Sequence, residues 1–348
     1  MDSALSRPIG SGRLEDRVRG GMRVVVVVSD STRAEPRDAM LRAVLSRLPD
    51  STSVRVAVAS GTHRACPVDE LGIGDDLLPR IDGWILHDGA DAGALVLVGT
   101  TRRGTPVTLN RAVLDADLVV ATGCIIPHYF AGYGAGIKSI FPGLGGSREV
   151  RINHELKSLP GARAGVVDGN PCREDLEEVV DFLAAPPFIL NLVLDDEGAA
   201  RAAVAGDVKA ALRAGAALCA PLYTVRAARS RCVVVSGRGP ITASLYQASK
   251  LVAAAAPLVE DGGTVVVVAE CWLGTGPLDV VNRGIFEIGI RPRLPEQHQV
   301  LLVSSLAPEV VAATYCRYSP SLADALASTP GPVLVLPRAG SLLCEAME

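Results

Sequence analysis

The 348 residues carry 34 Lys and Arg against 38 Asp and Glu, a formal net charge of −4, with 49% hydrophobic residues and a mean hydropathy of +0.31. A chain of this size buries a large core and has room for two domains. The acidic balance, a pI of about 5.8 and the scatter of the arginines argue against nucleic acid as a partner, and no apolar run has the length of a membrane helix.

Residues 1–21 are polar, with Arg7, Arg13, Arg17 and Arg19 and no apolar centre, which predicts a flexible lead-in rather than a signal peptide. A valine-rich run at 23–28 predicts a buried parallel strand, and the pattern at 36–48, opened by Pro36, predicts a helix. Strands are predicted at 54–59, 94–98 and 117–122, then a helix at 149–159. A strand at 188–194 and a helix at 209–217 close this part. Arg226, Arg229 and Arg231 interrupt the apolar pattern and mark a boundary. Beyond it the pattern predicts a strand at 232–235, a helix at 241–256, strands at 264–269 and 300–303, a helix at 322–328 and a last strand at 332–336. The alternation predicts an α/β fold: two α/β domains with mostly parallel sheets, 22–228 and 229–348, and an active site in the cleft between them.

Eight cysteines lie far apart without a C-x-x-C pair, the usage of buried, reduced thiols in a cytoplasmic protein. The chemistry concentrates at predicted strand ends. Asp30-Ser31-Thr32-Arg33 follows the first strand, where hydroxyls and backbone N–H groups at a helix start suit an anion and Arg33 suits a carboxylate. A plain helix cap by Asp30 or Ser31 is the alternative. Gly61-Thr62-His63-Arg64 follows the second strand, and His63 has the right chemistry for proton transfer, although a lone histidine in a loop is often only that.

The glycine-rich stretch 127–143 follows the strand at 117–122. It holds His128 and, ten positions on, Lys138; His154 comes sixteen positions later. Glycines let a backbone approach a ligand closely. The stretch matches neither a P-loop, since Ile137 stands between Gly136 and Lys138, nor a dinucleotide fingerprint. A solvated lysine is the plain alternative for Lys138. In the second domain Gln247 and Lys250 share a helix face, where an amide and an ammonium suit a carboxylate and a hydroxyl; two exposed polar residues are the alternative. His87 and His298 fit no constellation and are read as structural or exposed.

Taken together, SDSTR at 29–33, GTHR at 61–64, PHYFAGYGAGIKSIFPG at 127–143, the Asn153-His154 pair and YQASK at 246–250 resemble the lactate racemase family, the nickel-pincer-nucleotide-dependent 2-hydroxyacid racemases and epimerases. The resemblance spans about 22–276, is most specific at 127–154 and weakens over the last 70 residues. It implies a pyridinium mononucleotide with two thio-acid arms and a carbon–nickel bond, made by separate maturation enzymes and linked covalently to Lys138. It makes His154 the nickel ligand and places the cofactor's nucleotide portion near Asp30, Ser31, Thr32, Arg33 and Pro142. His63 and His128 become the paired acid/base residues, and Arg33, Gln247 and Lys250 the groups that orient a 2-hydroxy acid, with a larger 2-hydroxy acid or a sugar acid as plausible as lactate.

Ala135 stands where the family commonly has glycine, a costly change if the backbone there has positive φ. The family's aromatic substrate wall has no clear match; Tyr315, Tyr318 and Trp272 are candidates. Two rival readings remain: a metal-dependent hydrolase with His63, His128 and His154 on one zinc, and a non-catalytic cofactor-binding protein.

Overall fold

The computed structural model describes residues 1–329 and 331–347. It divides into two compact units, Met1–Leu222 and Tyr223–Glu348, so the division falls a few residues before the expected one.

A six-stranded sheet organises the first unit. Its strands are β1 (Arg23–Ser29), β2 (Ser53–Ala59), β3 (Gly83–Leu86), β4 (Leu118–Ile125), β5 (Phe188–Leu194) and β6 (Ala200–Asp207). The order across the sheet is β6-β5-β4-β1-β2-β3. All neighbours are parallel except β6, which runs antiparallel to β5. The valine run forms β1 because β-branched side chains suit a strand covered on both faces. Val24 to Val28 are buried, and Val26 pairs with Val120 on one side and Val56 on the other. Helix α1 (Arg37–Leu45) lays Met40, Leu41 and Val44 into the core beneath. This register places the ends of β4, β1 and β2 side by side.

Three expectations change here. The lead-in is packed rather than flexible: Asp2–Ser6 is helical, Leu5 and Leu14 are fully buried, and Ile9 bridges to Gly206 beside β6. Its arginines hid those two leucines from a compositional reading. The strand expected at 94–98 spans Leu95–Thr100 but lies outside the main sheet; a turn at Gly104 returns the chain, and it pairs antiparallel with Pro106–Asn110. The sheet's edge is instead β3, a four-residue strand too short for its periodicity to stand out.

The second unit has a five-stranded sheet with every neighbouring pair parallel. Ser230–Val235 lies between Val259–Val268 and Val333–Leu336, and His298–Val303 and Arg317–Tyr318 continue beyond Val259–Val268. The helix expected from 241 starts at Leu245, because the Ser244 hydroxyl accepts from Gln247 N and caps it. A run of π-helix at Val280–Ile290 had no counterpart in the sequence reading. Among the described residues no helix is long and apolar enough to cross a membrane. All eight cysteines are free, seven of them buried.

His87, just past β3, is fully buried. Its Nε2 lies 3.0 Å from Gly145 O and its Nδ1 3.4 Å from Asn110 Nδ2, the pattern of a neutral ring with the proton on Nε2. Burial pushes its pKa below the ordinary 6.5. The unfolded chain then takes up a proton that the folded chain refuses, so this contribution is intact above pH 6.5 and is lost as pH falls below it. Urea titrations at a series of pH values between neutrality and mild acid are expected to show stability falling in that window, with a shallower slope in His87→Gln.

Candidate functional site

The loop after β1 begins with a fixed carboxylate. Asp30 is buried; its Oδ1 accepts from Thr32 N at 3.0 Å and from the Thr32 hydroxyl. Its Oδ2 lies 2.8 Å from His63 Nδ1 in the loop after β2. Burial alone would raise the Asp30 pKa. The hydrogen bonds from His63 and Thr32, with the charges of His63 and Arg33, outweigh it and hold the carboxyl below its ordinary value. An ionised Asp30 accepts a proton on His63 Nδ1 and leaves Nε2 as the ring's outward acceptor.

Asp30 and Ser31 do not cap a helix. Helix α1 starts only at Arg37, behind Pro36, with no side-chain cap. The loop is locked instead by buried Arg37, whose Nε donates to Ser29 O at 2.8 Å and whose Nη2 donates to the carbonyls of Asp30 and Arg33. Ser31 Oγ donates to Glu70 at 2.9 Å, while the Thr32 and Arg33 side chains are exposed.

The glycine-rich stretch follows β4. Phe130 is its centre, with a ring 1% exposed. His128 meets that ring edge-on at 4.6 Å between centroids, and His154 meets it edge-on at 4.8 Å. Lys138 Nζ lies 5.8 Å from its centroid. Three groups singled out from sequence therefore surround one ring. His128 Nδ1 accepts from Ala131 N at 3.3 Å, which puts the proton of the neutral ring on Nε2. His154 stands in the last turn of α2 (Ser147–Glu155).

Lys138 sits in one 3₁₀ turn, Gly136–Ser139, tied down by Gly136 N on Asn191 Oδ1 at 3.1 Å and Ser139 Oγ on Thr122 O at 3.0 Å. The stretch ends at cis Pro142, and Gly143 O accepts from Gly61 N at 2.9 Å, joining it to the His63 loop. Two glycines are obligatory. A Cβ on Gly132, at φ +75°, would lie 2.1 Å from Val166 O, and one on Gly143 would lie 2.2 Å from Ser139 O.

In the second unit Gln247 and Lys250 do share a helix face, and Lys250 Nζ donates to Gln247 Oε1. Of the three candidate aromatics, Tyr315 is half-buried in that unit. It stacks on Phe286 at 4.0 Å and donates to Ser249 Oγ at 2.7 Å. Trp272 is 59% exposed. His298 is half-buried, its Nδ1 2.6 Å from Pro295 O, as a structural histidine would be.

A carboxylate-held histidine, a second histidine and a lysine at adjoining strand ends of a parallel sheet belong to an α/β protein equipped for acid–base chemistry. Residues 1–165 match the family model described as the lactate racemase N-terminal domain. The lactate racemase of Thermoanaerobacterium thermosaccharolyticum is 32% identical over 87% of this chain and 75% of its own length. That of Lactiplantibacillus plantarum is 32% identical over 79% of this chain and 66% of its own. The solved structure of the T. thermosaccharolyticum lactate racemase apoprotein superposes with a TM-score of 0.90 at 28% identity, covering 99% of this chain and 91% of that one. A Thermotoga maritima protein of 20% identity shares the fold, with a TM-score of 0.72. The chain belongs to the lactate racemase family. It is an isomerase, a racemase by class.

Ala135 has φ +56° and ψ −158°, a region that only glycine occupies without strain. Ala135→Gly is expected to stabilise the protein by about 1 kcal/mol, the relief of strain less the greater freedom of an unfolded glycine. Thermal unfolding of the two proteins side by side measures it, and an unchanged or lower midpoint would refute the strain.

Proposed function

We propose that the protein inverts the hydroxyl-bearing carbon of a 2-hydroxy acid, using a nickel-pincer nucleotide joined to Lys138. The gathering of His128, Lys138 and His154 around Phe130 is the observation that carries this reading. Among the described residues no three His, Cys, Asp or Glu side chains are placed to hold an ion, which removes the basis for a hydrolase with three histidines on one zinc. One imidazole beside one lysine amine fits a group that brings its remaining metal donors with it. Lys138 would carry that group and His154 would ligate its nickel. Asp30, Ser31, Thr32, Arg33 and Pro142 would lie along its nucleotide portion. When bound, the group supplies a ring able to accept and return a hydride.

The chain's own residues move the protons. His63, with its Nδ1–H held by Asp30, presents Nε2 to take the hydroxyl proton of one stereoisomer. His128, with Nδ1 accepting from Ala131, bears a proton on Nε2 and returns one to the oxygen when the other stereoisomer forms. In the reverse direction the two exchange roles. Arg33, Gln247 and Lys250 would hold the carboxylate and orient the hydroxyl. Maturation enzymes would load the cofactor in the cytoplasm, where the free cysteines stay reduced.

The first test is the intact mass and nickel content of protein made together with the cofactor-forming enzymes, with the modified residue located by peptide mapping. A mononucleotide on Lys138 and about one nickel per chain are expected. His63→Ala and His128→Ala should each keep that adduct and lose at least about 10²-fold in interconversion of a 2-hydroxy acid. Unmodified Lys138 overturns the cofactor assignment. An adduct on Lys138 without turnover of any 2-hydroxy acid favours a cofactor-binding protein, and full activity in either histidine variant ends the two-base scheme.

A further inference from the structure

One short helix, α3 (Pro171–Glu177), hydrogen-bonds to the segments that carry His128 and His154 and packs against the turn that carries Lys138. Its N-cap, Asn170, is fully buried. Asn170 Oδ1 accepts from the N–H groups of Cys172 and Arg173 at 3.0 and 3.2 Å. Its Nδ2 points the other way, toward Phe130 O at 2.9 Å, Val166 O at 3.0 Å and Arg163 O at 3.2 Å. Arg173 is also fully buried, with its Nε donating to Ala131 O at 3.1 Å and its Nη2 to Tyr133 O. Gly165 N donates to Gly132 O at 3.0 Å. Four successive carbonyls, from Phe130 to Tyr133, thus each have a donor, and two of the four come from one guanidinium. Asp175 serves the third segment. Its Oδ2 accepts from Asn153 Nδ2 at 2.8 Å and its Oδ1 from the Thr101 hydroxyl, and Asn153 directly precedes His154.

We propose that Asn170, Arg173 and Asp175 are positioning residues that fix His128, Lys138 and His154 in register around Phe130. Removing a guanidinium from water costs several kcal/mol unless its donors are well used. Burial lowers the Arg173 pKa to about 10, partly offset by Glu177, so it stays charged at neutral pH. Among the described residues no carboxylate bonds to it, and its Nη1 is buried without a hydrogen-bond partner. What it does hold is the backbone on either side of Gly132, where φ is +75° and the chain turns from His128 toward Lys138. An apolar side chain would fill the same volume, leave Tyr133 O without its donor, and leave Ala131 O with only the N–H of Tyr133. A lysine would supply a point charge without the planar fork.

The proposal rests on the racemase reading only where turnover is the readout, so the test begins with protein free of cofactor. Arg173→Met, Arg173→Lys and Asn170→Ser (serine keeps the helix cap and loses the amide donors) are compared with Leu41→Ala, a fully buried core change in α1. Lys138 is labelled with limiting acetic anhydride and quantified by peptide mapping. The ring signals of His128 and His154 are followed by ¹⁵N NMR. Arg173→Met is expected to change the Lys138 labelling rate several-fold and to move both histidine signals, with Arg173→Lys restoring part of the change. Asn170→Ser should move the same signals less, and Leu41→Ala should lower the melting temperature while moving none. In loaded enzyme, Arg173→Met should lower kcat by roughly 10²-fold with KM little changed.

A folded Arg173→Met with wild-type labelling and signals would overturn the proposal, as would a Leu41→Ala that moves them equally. If Arg173→Met does not fold, Asn170→Ser and Arg173→Lys decide on the same measurements. A wild type that turns over no 2-hydroxy acid would sink the racemase reading while the labelling and NMR results still judge the positioning.

Discussion

A buried loop has to satisfy its own backbone, and in this protein that requirement falls on the stretch between β4 and α2. The chain there leaves the sheet among buried residues with almost no regular structure to pair its N–H and C=O groups. It meets the requirement by local turns, by Asn191 and Gly61 at its second half, and by Asn170 and Arg173 at its first. The glycines follow from the same constraint. At Gly132 and Gly143 other backbone comes so close that no Cβ fits. A stretch held this way presents His128 and Lys138 at fixed places, whereas a mobile surface loop would have to be ordered again with each turnover.

The order of the sheet converts three separate motifs into one region. Parallel strands place their ends on the same edge, and β4, β1 and β2 are neighbours, so the segments after Ile125, Ser29 and Ala59 come together. The Asp30–His63 contact and the Gly61–Gly143 hydrogen bond are the local evidence of that meeting. This much was legible in the sequence, because valine-rich strands ending in polar, glycine-bearing turns carry both the fold signal and the chemical one. So was the helix behind Pro36, expected from 36 and found from Arg37; the role of Asp30 was not, since it looks like a cap until its tertiary partner is known. Nor was the packing of the N-terminal segment, where two leucines among arginines make the contact.

Asn170 and Arg173 were missed for a related reason. No helix was expected here, although Asn-Pro is a helix-start signal: Asn170 is the cap and Pro171 the first residue. Sequence patterning takes an arginine in such a helix to face solvent, and nothing local says that Arg173 points inward to carbonyls forty residues earlier. In the second unit's five-stranded sheet four strands followed from their apolar runs, while the two-residue strand Arg317–Tyr318 and the π-helix at Val280–Ile290 have no periodicity to find.

The two buried arginines of the first unit share a logic that ties the fold to the chemistry. Arg37 holds the carbonyls of the loop after β1, and Arg173 holds those of the loop after β4. Neither makes an ion pair with Asp30. Had Arg37 taken the Asp30 carboxylate as its partner, His63 would have lost the acceptor that fixes its Nδ1 proton, and Nε2 would no longer be set as the outward base. Guanidinium donors on backbone carbonyls therefore rigidify both loops and leave the buried Asp30 carboxylate for the histidine. Stability and acid–base chemistry draw on different atoms of the same two loops, so changes at Arg37 or Arg173 and changes at Asp30 are separable: the first pair disturbs where the reacting groups sit, the second what state His63 is in.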